Sequence, residues 1–594
     1  MKKITYIIAL ALSAAALQGC NPDFLTESPE SFLTVQEKYE TLDDYELALK
    51  GVYIALSSTS YPISVDANFG GYRYGALALG ECGTDEVFAA NDQRSNEISL
   101  DSYGISGADP TFIAHYGIMY QVVSRANQII SRLDDGRLLA REWEPILGEA
   151  LFLRSLGYFN LLRSYGGVPL LTLPLDNDSW REGLVRNSIE EVYGLIMSDL
   201  NKADTLLTAT PRNNEVGRAT RLAVRTLMAR ACLHAASMKN AAGLDNGGPV
   251  ELDGLNSYAW VDVADLYRQA SHSCDTVINL MPGIETIPYS SGFWPNRNGV
   301  ESIFEIQFST SFAVNVGSLV GHAFGMGNGN GKKWLKATGV EYYGTLEDND
   351  TRTQFNRLKQ FYNNQGNLTN TNDTNNFSFM KYNTGYSDDG DGGTTSKTPQ
   401  DFVVMRLAEL YLVKAEALAE LAALGDAEGS WVQALQYLNR IRARARGANA
   451  TAVIDIPSNY ITNELEVGTM NQTQRNDLYK CLKPVAGIVS MNVNGANAGT
   501  ISIAPGELDT PIKRFRIFVL NERKWEFTGE GHRWFDLVRL GYLKKICDAM
   551  DLRFDADGKT PDNLRRMRNV KSSNIFRPIP QKEADMGARQ NFGY

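Results

Sequence analysis

Apolar side chains recur at helical spacing along much of this chain, and that recurrence limits its fold more than any other feature. Leu42, Tyr45, Leu49, Val52, Tyr53 and Leu56 share one helical face, and Tyr116, Met119, Val123, Ala126, Ile130 and Leu133 repeat the pattern. A third helix runs through Leu151 to Tyr165 and is stopped by Gly166, Gly167 and Pro169. Ser188 and Glu191 have capping-box spacing ahead of Val192, Leu195, Ile196 and Leu200. Arg218 to Ala236 is rich in strong helix formers, and its small residues let a neighbouring helix come close. Met405 to Ala423 followed by Trp431 to Arg446 makes a further helix, loop, helix unit. Stacked helical hairpins are predicted, without a clean repeat of about 34 residues.

Two stretches break this pattern. Ile284 to Lys397 is rich in Gly, Asn, Asp and Ser, with short β-like runs such as Ser302 to Phe308, and reads as a loop-rich insert. Val453 to Pro511 reads as a second loop region. After residues 1–19, one domain is expected over 20–594. It divides into an N-terminal helical part (20–283), the insert (284–400), tetratricopeptide-like helices (401–450), a loop region (451–511) and a C-terminal helical part (512–594).

The N-terminus carries an address. Lys2 and Lys3 precede an apolar run from Ile4 to Ala16, too short for the roughly 20 residues that cross a bilayer, so residues 1–19 read as a signal peptide. Leu17, Gln18, Gly19 and Cys20 resemble a lipobox, which predicts cleavage before Cys20 and acylation of its thiol. Lys and Arg number 58 against 69 Asp and Glu, a net charge of −11, and this argues against a nucleic-acid partner. The other five cysteines are widely spaced and lack any CxxC, so neither a disulfide framework nor a zinc ribbon is indicated.

Catalytic motifs are not apparent. Glu526 and Glu530 stand at i, i+4 with Arg533 nearby, but acids and arginines alternating around Phe527, Trp534 and Phe535 are better explained as ion pairs locking a C-terminal helix to the body. His115, His234, His272, His322 and His532 are dispersed and make no metal-ligand spacing. Gly325 to Lys332 lacks the glycine that would complete a phosphate loop, and Lys333 stands where Ser or Thr is required. Asp388, Asp389 and Asp391, and Asp555 with Asp557, read as solvated turns and not as calcium loops. No catalytic residue, metal or cofactor is therefore expected. What remains is a binding surface. Stacking on sugar rings needs aromatic platforms flanked by amides and charges, and three stretches offer them: Tyr61 to Tyr74, Asn91 to Arg94, and the insert with Tyr289, Phe293, Trp294 and Trp334.

Several segments together resemble the SusD/RagB family of outer-membrane nutrient-binding lipoproteins. They are Arg125, Ala126, Asn127; Glu149 to Phe159 leading to Tyr165, Gly166, Gly167; Gly217 to Thr220; Arg406 to Ala417; Glu522 to Arg539; and Pro578 to Gln581 with Gln590 and Asn591. Phe592 stands where proline is usual in that family. The resemblance implies a mainly α fold, tetratricopeptide-like hairpins forming a right-handed solenoid-like scaffold with a loop-rich insert containing short strands. It implies a lipid-anchored, non-enzymatic protein on the cell surface that takes up glycan, or alternatively peptide, for a SusC-like TonB-dependent outer-membrane transporter. A secreted carbohydrate-active enzyme is the remaining alternative. Because family members hold ligand on loops after the first helices and in the insert, Tyr72, Asn91, Arg94, Trp294 and Trp334 are the candidate ligand contacts.

Overall fold

The structure, a computed structural model, describes residues 39–57, 70–89, 95–133, 141–174, 185–244, 252–293, 296–308, 335–337, 350–352, 360–362, 368–370, 381, 400–447, 453–494, 497–556, 569–591 and 594. Cys20 and the signal segment lie outside them. Chain contacts separate a short N-terminal unit, Met1–Ala48, from a body, Leu49–Tyr594. In the first unit the Asp44 carboxylate accepts hydrogen bonds from the backbone N–H of Thr41 (2.7 Å) and from its hydroxyl (2.6 Å), just ahead of helix α1 (Leu42–Ser57).

Among the described residues the body is mainly helical. After α2 (Gly75–Glu81) and α3 (Ser95–Ser102) come α4 (Pro110–Leu133), α5 (Glu144–Tyr165), α6 (Ile189–Leu206), α7 (Arg221–Asn240) and α8 (Val263–Ile278). Then follow α9 (Leu407–Leu424), α10 (Trp431–Arg446), α11 (Asn459–Thr462), α12 (Gln472–Leu482), α13 (Pro511–Phe527), α14 (Arg533–Arg539), α15 (Leu543–Ala556) and α16 (Gln581–Asp585). Each long helix packs on the next: α4 on α5, α5 on α6, α6 on α7, α7 on α8, α8 on α9, and α9 on both α10 and α13. That succession is the expected stack of helical hairpins.

Local chemistry explains the boundaries. Ser188 accepts from the Glu191 N–H while the Glu191 carboxylate accepts from the Ser188 N–H, a reciprocal cap worth about 1 kcal/mol. Gly425 ends α9 in the left-handed region (φ 74°), where a side chain would be strained. Helix α5 is buried nearly all round, and its Gly157 lets the α4 backbone approach: a Cβ there would lie 3.3 Å from the Met119 carbonyl. Helix α9 is likewise buried on every face from Leu407 to Leu421 because α7, α8, α10 and α13 surround it, and its charged side chains Glu409, Lys414, Glu416 and Glu420 are all paired. The five cysteines beyond Cys20 are buried and reduced, as packing residues. No helix among the described residues is long and apolar enough to cross a membrane.

The described strands form four two-stranded antiparallel ribbons. β2 (Ser302–Ile306) pairs with β6 (Phe402–Arg406) and forms the base of the insert. β1 (Val87–Ala89) pairs with β3 (Leu335–Ala337), and β4 (Gln360–Tyr362) with β5 (Leu368–Asn370). One expectation needs correcting. The segment 451–511 is not mainly loop, since it holds α12 and the hairpin β7 (Val489–Asn494) and β8 (Asn497–Ile503). Helix α12 begins in a capping box between Asn471 and Gln474 and buries only Leu478, Tyr479, Cys481 and Leu482, so its apolar face is too short to stand out as a period.

Candidate ligand-binding face

Helix α13 and the turn after it form a buried charged hub. Glu526 accepts hydrogen bonds from Arg406 (2.6 Å) and Arg444, and lies 3.5 Å from Arg352. Glu522 pairs with Arg352 (2.6 Å) and Arg442 (2.7 Å), and Glu530 with Arg406 (2.8 Å) and Lys381 (2.7 Å). Glu301 joins through Arg406 and Arg444, and Asp350 through Arg352. Arg352, Lys381, Arg406, Arg442 and Arg444 thus meet Glu301, Asp350, Glu522, Glu526 and Glu530, and the charges balance. Burial opposes the ionisation of Glu526, but the Arg444, Arg406 and Arg352 guanidiniums outweigh it and hold the carboxyl far below the usual carboxylate range. Both members of the Glu526 and Glu530 spacing are committed to cations, so neither is set up as a general acid or base. This is the ion-pair lock expected from the sequence.

A second cluster adjoins it. Asp85 pairs with Arg533 (2.7 Å) and Lys524 (3.0 Å). Burial would raise the Asp85 carboxyl, yet the Arg533 and Lys524 charges keep it ionised well below its ordinary value. Burial in turn pulls Lys524 down to about 7. Glu81 donates no charge to this lock: it accepts from the Gly531 N–H (2.6 Å), and it and Glu86 hydrogen-bond each other. Burial pushes Glu86 up to about 7 and raises Glu81 as well, so the folded pair retains a proton that the unfolded chain gives up near the ordinary carboxylate value. A group that binds its proton more tightly when folded stabilises most at low pH, and that contribution falls as pH rises through the ordinary range to about 7. Glu149 and Glu305, raised by burial to about 7 and about 6, act in the same direction. These four carboxyls favour the folded state less as pH rises from about 5 to about 7, while His115, His234 and His532, which burial keeps neutral, favour it more as the unfolded imidazoles lose their protons. Glu86→Gln should remove a falling contribution of up to ~1.4 kcal/mol per pH unit in denaturant titrations, one proton's worth; a pH profile identical to the parent's would refute the shared proton.

The hub fastens segments far apart in the chain. The Tyr289 hydroxyl donates to the Glu526 carbonyl (2.9 Å), and Lys381 Nζ donates to the same carbonyl (3.0 Å). Lys381 also lies over the Phe293 ring at 4.9 Å. Arg297 pairs with Asp401 (2.6 Å), whose other contacts include the Phe308 N–H (2.8 Å), so the two ends of the insert are clasped together. Asp85, two residues before β1, is bound to α13 and α14 as described. Ala89 in β1 then pairs with Leu335 in β3.

Tyr72, expected on an aromatic loop, is instead a packing residue. It sits in a short 3-10 turn (Gly71–Arg73) at 2% exposure, its hydroxyl accepts from Asn160 (2.9 Å), and its ring packs on Phe402 at 5.4 Å. The turn is drawn inward because Tyr74 and α2 on its far side are core. Tyr289 and Phe293, also candidates for an open platform, are buried anchors of the insert. Asn91, Arg94, Trp294 and Trp334 lie outside the described residues. Their covalent attachment points are described, though: Asn91 and Arg94 follow Ala89, and Trp334 precedes Leu335, so both segments leave the same end of the β1–β3 ribbon. Trp294 follows the anchored Phe293. Among the described residues no group of His, Cys, Asp and Glu is arranged to hold a metal.

Sequence reasoning missed Arg352, Lys381, Arg442 and Arg444 as partners of the hub, and Asp85 as the partner of Lys524 and Arg533. Arg406 carried a signal, since it interrupts the apolar run from Phe402 to Ala408, and a charge on a buried face requires a counter-charge.

Residues 321–594 match the SusD family, and residues 71–233 match a family described as "Starch-binding associating with outer membrane". The chain is also 23% identical over 614 residues to the SusD-like protein P25 of Formosa agariphila, covering 98% of this chain and 96% of that one. The chain belongs to the SusD-like family. A SusD homolog from Bacteroides thetaiotaomicron superposes with a TM-score of 0.69 at 18% identity, covering 95% of this chain and all (100%) of the other. The surface glycan-binding protein A from Bacteroides fluxus superposes with a TM-score of 0.62 at 19% identity, over 93% of this chain and 100% of its own. These two share the fold. In this SusD-like chain the hub lies within the C-terminal match apart from Glu301, and Asp85 lies within the N-terminal one.

Proposed function

We propose that this SusD-like protein is a lipid-anchored subunit on the outer-membrane surface that captures oligosaccharide or polysaccharide without cleaving it and delivers it to a SusC-like TonB-dependent transporter. The observation that carries the reading is the pairing of Ala89 with Leu335 on a ribbon tied to α13 and α14 through Asp85. It brings the described residues that flank the segments carrying Asn91, Arg94 and Trp334 to one end of one ribbon, and a shared anchor lowers the cost of bringing such groups to one ligand. The likeness to a surface glycan-binding protein supports a carbohydrate ligand. The commitment of the hub carboxylates to cations supports binding without turnover. The signal segment and Cys20 support the anchor.

Calorimetry of the protein against a panel of glycans tests this. One glycan class should bind, and Trp334→Ala should weaken it about tenfold or more, the size expected for a buried aromatic anchor. Trp294→Ala should act in the same direction, Asn91→Ala and Arg94→Ala less strongly, and none should alter the helical circular dichroism. Binding of peptides and of no glycan would move the assignment to peptide import. Hydrolysis of the bound glycan would make the protein an enzyme.

A further inference from the structure

The charged clusters around α13 and α14 do not all balance. The hub matches cation to carboxylate, and the Asp85 cluster accommodates its surplus carboxylate with the proton shared by Glu81 and Glu86. A third cluster joins α14 to α5, α7 and α9, and here the surplus is positive. Arg230 pairs with Glu409 (2.5 Å); Arg523 and Arg539 share Asp536; Arg539 also reaches Glu416. Among the described residues Arg163 has no carboxylate partner. One of its nitrogens donates to the Asn160 side-chain oxygen (2.7 Å), and its guanidinium lies on the Phe535 ring at 4.0 Å. A guanidinium cannot discharge the surplus by losing its proton near neutral pH; burial brings Arg163 down only to about 10. His234, lowered by burial to about 3, adds no charge.

Beside Arg163 is a cavity of about 30 Å³. Arg163 Nε, Arg523 Nη1 and His234 Nε2, all on residues that line it, are buried without hydrogen-bond partners among the described residues. Among the described residues Arg186, Arg514 and Arg577 are also buried without a carboxylate: Arg186 and Arg514 donate to backbone carbonyls and to Asn591, and Arg577, whose Nε and Nη1 are likewise unpartnered, donates to the Leu79 carbonyl (2.9 Å) and lies on the Trp534 ring (4.1 Å). A water needs roughly 10–15 Å³, so this cavity has room for a small occupant; Arg163, Arg230, Arg523 and Arg539 outnumber Glu409 and Asp536 around it, and unpaired buried donors beside that surplus favour a negative one. We propose that a chloride-sized monovalent anion occupies this cavity, accepting hydrogen bonds from Arg163, Arg523 and His234 and neutralising the surplus charge where α14 meets α5 and α7.

Crystals of the protein soaked in bromide test the site directly: an anomalous peak is expected within hydrogen-bond reach of Arg163 Nε. In solution, the melting temperature should rise with chloride and saturate, whereas gluconate, too large for the cavity, should leave it flat at equal ionic strength. Arg163→Met should abolish that difference. Should that variant fail to fold, His234→Leu, which removes one donor and keeps the ion pairs, should shift the chloride midpoint upward. Absence of a bromide peak, or coincident chloride and gluconate curves for the native protein, would mean water alone fills the cavity and would overturn the proposal.

Discussion

Glu526→Ala is expected to destabilise the body by about 3–5 kcal/mol, the size typical of removing one partner from a buried ion pair. Three guanidiniums converge on this carboxylate, from α9's first residue boundary (Arg406), from α10 (Arg444) and from the segment 350–352 (Arg352). Glu526 is fully buried, so alanine would leave those charges facing one another without water to solvate them. Glu526→Gln keeps the shape and part of the hydrogen bonding but not the charge, and should fall between the two. The check is the midpoint of urea unfolding by circular dichroism and tryptophan fluorescence. A Glu526→Ala variant as stable as the parent would show that Glu301, Glu522 and Glu530 suffice to balance the hub. Replacing the whole network with apolar residues of matching volume is a different experiment and need not destabilise.

The second large effect comes from adding one carbon. A Cβ on Gly80 would lie 2.1 Å from the Gly531 carbonyl oxygen and 2.7 Å from its Cα, both backbone atoms that cannot swing aside. Gly80→Ala should therefore cost about 3 kcal/mol, at the upper end for overpacking. Forcing α2 away from the 529–531 turn would also stretch the bond from the Gly531 N–H to Glu81 and the adjoining Arg533 to Asp85 pair. Gly51→Ala is the control, because nothing lies within 4 Å of a Cβ there; on helix α1 it should be neutral or slightly stabilising. Equal unfolding midpoints for the Gly80 and Gly51 variants would contradict the close approach.

The helical scaffold was legible because its signals are local. Periodicity, the Ser188 cap and the glycine stops each report on residues within a turn or two, and α1, α4 to α7, α9 and α10 appear where those signals lie, whereas α8 was not anticipated. The ion-pair character of Glu522 to Arg539 was legible too, since acids and arginines among aromatics have few other uses. Its partners were not. Asp85 reaches Arg533 across the chain, and Arg352 reaches Glu522 from inside the insert, and no spacing rule links such distant positions. Tyr72 was misread for a related reason. An aromatic beside Gly70 and Gly71 has loop composition, but whether its ring turns inward depends on Asn160 and Phe402, which come from elsewhere in the fold.

The clasp at the root of the insert has an evolutionary corollary. Arg297, Asp401 and the Phe308 N–H bring the two ends of a long excursion side by side, and β2 and β6 zip them together. With departure and return fixed, lengthening the excursion changes only loop-closure entropy, roughly 0.6 kcal/mol for each doubling. Descendants of one ancestor can therefore rewrite that stretch wholesale while the frame that carries it keeps its stability.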